Sequence, residues 1–236
     1  MTVLRLRAPA IAENVRAGQF VNLALRPGPF LRRPFSVYGA ERAEIEILLK
    51  VVGAGTALLE RLEPGARVGC LGPLGRPFDL DRGSGALVLA SGGLGVAPMP
   101  LAARDAARAG REVIWVHGAR TAGELCREWH GDRVIWATDD GSTGARGSAI
   151  HAIPDVEAQV LACGPNPMLS ALSSLRPEAQ VGIETYMACG TGVCLGCAVP
   201  LRRGGYDRAC TEGPVYEASE IDWKLLPGHL HYAVGA

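Results

Sequence analysis

The tightest constraint on this chain is a run of thiols near its end. Cys189-x4-Cys194-x2-Cys197 is followed, after twelve intervening residues, by Cys210. This C-x4-C-x2-C…C spacing is that of plant-type [2Fe-2S] clusters, in which four thiolates hold two irons. Gly190, Gly192 and Gly196 suit such a loop, because glycine lets the backbone turn tightly and point N–H groups at sulfur. Zinc is the competing metal, although zinc ligands commonly arrive as two short hairpins and here three thiols share one loop. Four buried free cysteines would be the purely structural reading. The chain holds seven cysteines, an odd number that suits no closed disulfide framework. Cys70 and Cys126 read as packing residues, and the five histidines, His229 and His231 included, show no metal spacing.

The rest of the composition excludes several classes. Twenty-four basic and 24 acidic residues leave no net charge, which argues against a nucleic-acid binder. Apolar residues make up 48% of the 236, so the chain is expected to fold. The apolar run 86–103 contains Ser91, Gly92, Gly93, Gly95, Pro98 and Pro100, which fits a strand–loop–helix unit and not a membrane span. The first residues alternate like a strand and lack the apolar core of a signal peptide. A cytoplasmic protein with reduced thiols is the expectation.

Three blocks follow one another. Residues 1–80 carry short alternating segments (3–7, 20–25, 35–38, 44–51 and 67–71) with a short helix at 56–62, the pattern of a small β barrel. Residues 81–180 alternate apolar strands (86–90, 112–117, 133–138, 159–163) with helical stretches such as 99–109, the pattern of a parallel α/β sheet. Residues 181–236 form a short Cys- and Gly-rich block.

Each of the first two blocks carries a candidate binding motif. Arg33-Pro34-Phe35-Ser36 offers a guanidinium suited to pyrophosphate and a hydroxyl that can reach a ring nitrogen. Gly53-Ala54-Gly55-Thr56 opens the short helix, where backbone N–H groups favour anions; a plain glycine turn with Thr56 as a cap is the simpler alternative. Gly92-Gly93-Leu94-Gly95-Val96-Ala97-Pro98 follows the first parallel strand without matching the dinucleotide fingerprint. Loops at 117–121, 139–142 and 163–168, the last with Cys163-Gly164-Pro165, should face the same crevice.

Taken in order, R-P-F-S, G-x-G-T, G-G-x-G-x-A-P, G-A-R-T, D-D-G-S and C-G-P resemble the ferredoxin–NADP reductase superfamily over residues 1–180. With the cysteine loop added, the chain resembles the electron-transfer subunits of NAD-linked dihydroorotate dehydrogenases. The resemblance implies an FAD-binding barrel, a parallel-sheet NAD-binding domain and a small C-terminal [2Fe-2S] domain. It places FAD at Arg33, Pro34, Phe35, Ser36, Gly55 and Thr56, with Leu48, Leu49 and Val51 beside the flavin. It places the nicotinamide at Gly92, Gly93, Gly95, Pro98, Cys163, Gly164 and Pro165, and the cluster on Cys189, Cys194, Cys197 and Cys210. No catalytic acid or base is implied, and the partner is an FMN-containing dihydroorotate dehydrogenase catalytic subunit in a heterotetramer. Electrons would pass from that subunit through the cluster and FAD to NAD⁺, in pyrimidine biosynthesis. One departure stands out: the stretch before Gln19 is short for the family's first two barrel strands, so a barrel that is incomplete or closed by a partner is expected. Two alternatives remain open at this point. One is a flavin/iron–sulfur subunit of a hydrogenase or ferredoxin-dependent oxidoreductase, and the other is a zinc-stabilised binding module without enzymatic activity.

Overall fold

A computed structural model describes residues 1–25, 28–83, 85–127 and 132–228. His229 and His231 lie outside these described residues. The chain runs through β1 (Thr2–Arg7), α1 (Pro9–Ala12), β2 (Phe20–Ala24), β3 (Arg33–Ser36), β4 (Gly39–Glu41), β5 (Glu44–Leu49), α2 (Ala54–Glu60) and β6 (Gly69–Leu74). It continues through β7 (Ala86–Gly92), α3 (Met99–Arg108), β8 (Val113–Ala119), β9 (Arg133–Thr138), β10 (Ala145–Arg146), β11 (Ala158–Cys163) and α4 (Asn166–Leu175). The last strands are β12 (Gln180–Gly182), β13 (Ala198–Pro200), β14 (Tyr206–Arg208) and β15 (Val215–Glu217).

The first six strands form two antiparallel sheets, β1-β5-β4 and β3-β2-β6. The segment between β3 and β4 joins them. Val37 N–H donates to Gln19 O (3.1 Å) beside β2, and Tyr38 N–H donates to Glu46 O (2.8 Å) in β5. β3 and β4 therefore act as one bent strand at a barrel corner. Among the described residues neither β1 nor β6 has a second ladder partner, so the barrel is open between those two edges. Strand β4 was not foreseen; its residues Gly39-Ala40-Glu41 carry no β-branched signal and are fixed instead by the hairpin through Arg42, whose φ is 56°. α2 begins two residues before the expected 56, because the Thr56 hydroxyl accepts N–H bonds from Val52 and Gly53 and so closes the preceding turn.

The second sheet has the order β10-β9-β8-β7-β11-β12-β15, parallel except for β15. Its apolar strands are covered on both faces, and side-chain alternation divides them between two cores. Leu87, Leu89, Val113, Trp115 and Leu161 pack toward α3 and the barrel. Val88, Ala90, Ile114, Val116, Val160 and Ala162 pack toward α4 and the C-terminal block, where they meet Cys197, Val199 and Cys210. The C-terminal block thus has no separate core. The expected boundary at 181 falls inside β12, and β15 completes the edge of the parallel sheet. Strand order reverses between β8 and β11 on either side of β7, the place where open α/β sheets bind ligands.

Candidate functional site: a thiol loop beside a three-walled cavity

The cysteine loop is set by a hairpin and by main-chain hydrogen bonds. β13 and β14 pair from Ala198↔Arg208 onward, and Ala209 N–H donates to Cys197 O (2.9 Å). That ladder end brings Cys197 Sγ to 3.3 Å from Cys210 Sγ, both buried. The other pair is tied through the backbone: Thr191 N–H and Cys194 N–H point at Cys189 Sγ at 3.4 and 3.5 Å. Gly192 N–H points at Cys210 Sγ (3.1 Å) and Gly196 N–H at Cys194 Sγ (3.4 Å). The Thr191 and Cys194 N–H groups lower the Cys189 thiol to about 6. Burial, then the neighbouring Cys197 thiol, raises Cys210 to about 11. Arg208 braces the loop, donating to Gly192 O (3.1 Å) while its guanidinium pairs with Glu212.

The residues fit a binuclear cluster. Two thiol pairs, each able to hold one iron, are joined by N–H groups aimed at sulfur. Zinc ligands commonly come as two short hairpins, whereas here three of the four thiols share one loop.

A cavity of about 180 Å³ opens beside this loop, with walls from all three blocks. Pro34, Phe35 and Ser36 of β3 form one wall, Pro98 and Cys163 a second, and Glu184, Met187 and Pro214 a third. The loops after β7 and β11 interlock to make the second wall. A Cβ on Gly95 would stand 2.2 Å from Cys163 O, so only glycine permits this approach. Gly92 in turn packs on Met168 and Pro165, and Gly164 packs against Gly92. Gly92, Gly93, Gly95, Pro98, Cys163, Gly164 and Pro165 are therefore brought together at the sheet's carboxyl ends.

Arg33 and Gly55 meet each other apart from this cavity, with Thr56 next in α2. The Arg33 Nε would be 3.2 Å from a Cβ on Gly55, which sets the guanidinium over the start of α2. Thr56 Oγ1 is engaged, accepting from Val52 N–H (2.8 Å) and donating to Gly53 O (3.0 Å). The capping role weighed for Thr56 is thus what its hydroxyl performs. Leu48 and Leu49 are buried at the end of β5, whereas Val51 is exposed.

Three features were not found from the sequence. The first is a buried network of Ser91, Trp115 and His117. Trp115 Nε1–H donates to Ser91 Oγ (2.8 Å), which lies 2.9 Å from His117 Nδ1. His117 Nε2 accepts from Cys126 N–H (3.3 Å), so the ring is neutral with its hydrogen on Nδ1. Burial lowers His117 to about 4. The second is Glu184, whose half-buried carboxyl is pushed upward by desolvation. Burial first, and then Glu184, push the neighbouring Cys163 thiol up to about 12, so this cysteine is no thiolate nucleophile. The third is Asn22, buried in β2, whose Nδ2–H donates to Cys189 O (3.0 Å). Period-2 alternation marks positions as inward or outward but does not say what an outward polar residue meets.

The loops after β8 and β9 are also joined. Ala122 N–H donates to Ser142 Oγ (2.8 Å), and that hydroxyl donates to Asp140 Oδ1 (2.6 Å). Arg120 is held by Glu124 through two contacts, one of them 3.0 Å. No helix among the described residues is long and apolar enough to cross a membrane.

A bent antiparallel barrel, a parallel sheet with its switch point at a glycine loop, and a four-thiol loop together define a reductase of the ferredoxin-reductase class carrying an iron–sulfur domain. A solved NADH-dependent reduced ferredoxin–NADP oxidoreductase, studied for flavin-based electron bifurcation, is 27% identical and superposes with a TM-score of 0.83 over 94% of this chain and 85% of that one. The cytochrome b5 reductase domain of Ulva prolifera nitrate reductase shares the fold, with a TM-score of 0.59 over 79% of this chain and 89% of that one at 18% identity. Residues 184–222 match the iron–sulfur cluster binding domain of dihydroorotate dehydrogenase B. The dihydroorotate dehydrogenase B (NAD(+)) electron transfer subunit of Desulforamulus reducens is 34% identical over 92% of this chain and 90% of its own length. That of Bacillus caldolyticus is 37% identical over 92% of this chain and 91% of its own. This chain belongs to the family of dihydroorotate dehydrogenase B electron transfer subunits. The fold and the family fit FAD, a [2Fe-2S] cluster and NAD as the groups served.

Proposed function

We propose that this chain carries electrons from a dihydroorotate-oxidising FMN subunit, through a [2Fe-2S] cluster and FAD, to NAD⁺ in pyrimidine biosynthesis. The observation that carries the reading is the cavity whose walls come from the R-P-F-S strand, the glycine loops and the cluster block at once. FAD, when bound, would supply conversion between two-electron exchange with nicotinamide and one-electron exchange with the cluster.

The chain's own residues have positional tasks. Pro34 and Phe35 would pack against the flavin ring and exclude water, and the Ser36 hydroxyl would be available to a ring nitrogen. Arg33 would pair with the pyrophosphate beside the Gly55–Thr56 backbone, and Leu48, Leu49 and Val51 would present main chain to the cofactor. Gly92, Gly93, Gly95 and Pro98, with Cys163, Gly164 and Pro165, shape the nicotinamide floor. Cys163, pushed up to about 12 by burial and then by Glu184, stays a neutral thiol on this wall. Cys189 and Cys194 would hold one iron, and Cys197 and Cys210 the other. The Arg120–Glu124 pair supports NAD over NADP, since Glu124 already occupies the guanidinium that a 2′-phosphate would need.

The partner is an FMN-containing catalytic subunit in a heterotetramer, seated over the cluster's outer side. There Cys194 is exposed between Val193 and Leu195, which are 82% and 64% exposed. Three thiols outside the cluster loop, Cys70, Cys126 and Cys163, suit a reducing, cytoplasmic setting. The likeness to the bifurcating oxidoreductase supports a second reading, the same electron path with a ferredoxin-dependent partner.

Purified alone, the chain should oxidise NADH with ferricyanide and leave dihydroorotate untouched. Mixed with an FMN catalytic subunit of this family, it should reduce NAD⁺ at the expense of dihydroorotate. Dihydroorotate oxidation by the isolated chain, or no NAD⁺ reduction in the mixture, would contradict the assignment.

A further inference from the structure

Strand β2 has two unlike faces. Val21 and Leu23 point into the barrel core, while Phe20 joins the core shared with the cluster block. Asn22 points to that same outer side, and its carboxamide is almost completely buried. Across the ladder Asn22 lies opposite Pro34, a cavity-lining residue of the R-P-F-S strand, and Phe20 lies opposite Ser36. On its other side the Nδ2–H holds Cys189 O at 3.0 Å. Asn22 Oδ1 has no hydrogen-bond partner, an arrangement that costs free energy when buried. The cluster loop is shaped around the carboxamide: Gly190 has φ +67°, and a Cβ there would stand 2.0 Å from Nδ2.

A buried apolar side chain would fill this place without leaving an orphaned oxygen. The arrangement makes sense if the carboxamide holds two groups in register. We propose that Asn22 is a positioning residue linking the flavin strand to the first cluster ligand, so that electron exchange between flavin and cluster depends on it while hydride exchange with nicotinamide does not. The inference rests on the cofactor assignment above. Outer-layer hydrogen bonds of this kind orient ligands and alter the electronic properties of the metal. The N–H withdraws density from the Cys189 peptide, so its loss should make the cluster harder to reduce.

The test uses the full chain loaded with FAD and cluster, with Asn22→Leu, which keeps the bulk and removes the donor. NADH is the reductant: each NADH becomes NAD⁺ and H⁺ with loss of two electrons, of which one would pass to the cluster and the other would stay on the flavin. Iron and flavin contents should match the wild type, and NADH–ferricyanide turnover should stay within about twofold. NADH-driven appearance of the reduced-cluster EPR signal should slow about tenfold, with altered g-values. Gly190→Ala, which drives a methyl into the same bond from the other side, should slow the same step.

An unchanged EPR spectrum and unchanged cluster reduction in Asn22→Leu would overturn the proposal. So would unchanged cluster reduction in Gly190→Ala, the deciding variant if Asn22→Leu does not fold. Loss of iron from Asn22→Leu with flavin retained would also overturn it, because Asn22 would then only hold the loop. A wild-type chain without flavin or cluster signal would instead refute the cofactor assignment and would be seen before any variant is made.

Discussion

The thiol loop and the cavity beside it are held in place by different means. The loop draws three of its four cysteines from nine consecutive residues and fixes them by main-chain N–H groups and one short hairpin. The cavity draws its walls from residues between 18 and 214, and its shape depends on two cores packing on opposite faces of one sheet. Damage to the loop should therefore be local and chemical, whereas damage to the cavity should spread into stability.

The largest effect should come from the loop. Cys197→Ser or Cys210→Ser removes half of the buried thiol pair, and iron should fall from about two per chain to near zero. Iron, sulfide and flavin assays on one sample would check this. Retained FAD would support the independence of the two regions, and simultaneous loss of FAD would break it.

Next comes the cavity wall. Gly95→Ala places a methyl group against Cys163 O and should cost about 3 kcal/mol in urea unfolding, with weakened NADH use. A wild-type unfolding midpoint would show that the interlocked loops yield more easily than their geometry indicates.

A third effect is set by pH. His117 is lowered to about 4 by burial, against about 6.5 in an unfolded chain. Its contribution is complete above pH 6.5 and is lost as pH falls toward 4, because the unfolded state binds the proton first. Stability should drop by about 2 kcal/mol between pH 7 and 4.5, and His117→Gln should flatten that slope. Equal slopes in both proteins would assign the acid sensitivity elsewhere.

The smallest effect concerns exposed charge. Glu124→Gln frees Arg120 and should raise kcat/KM for NADPH about threefold while leaving the thermal midpoint unchanged. No change in the NADPH-to-NADH ratio would remove this pair from coenzyme selection.

The same contrast explains what could be read from the chain. The spacing Cys189-x4-Cys194-x2-Cys197 is a local covalent fact, so the loop was legible residue by residue. The barrel and sheet were legible as alternation and as apolar runs such as Ala86–Ala90. The elements missed or misplaced were those decided at a distance. β4 exists because β5 pairs with it, and β15 because an edge at β12 was free. Asn22, Glu184 and His117 look like ordinary polar residues until the fold brings Cys189, Cys163 and Ser91 to them. Thr56 was legible only as a choice between anion site and cap, and the hydroxyl's bonds to Val52 and Gly53 favour the cap.

The most direct test of the account is an anaerobic NADH titration of the purified chain, followed by absorption and EPR. The account predicts about two irons and one FAD per chain. Flavin bleaching should come with the first additions of NADH, and a reduced [2Fe-2S] signal should develop with it. A colourless protein containing zinc and no flavin, or a flavin that NADH reduces while the cluster stays oxidised, would contradict it.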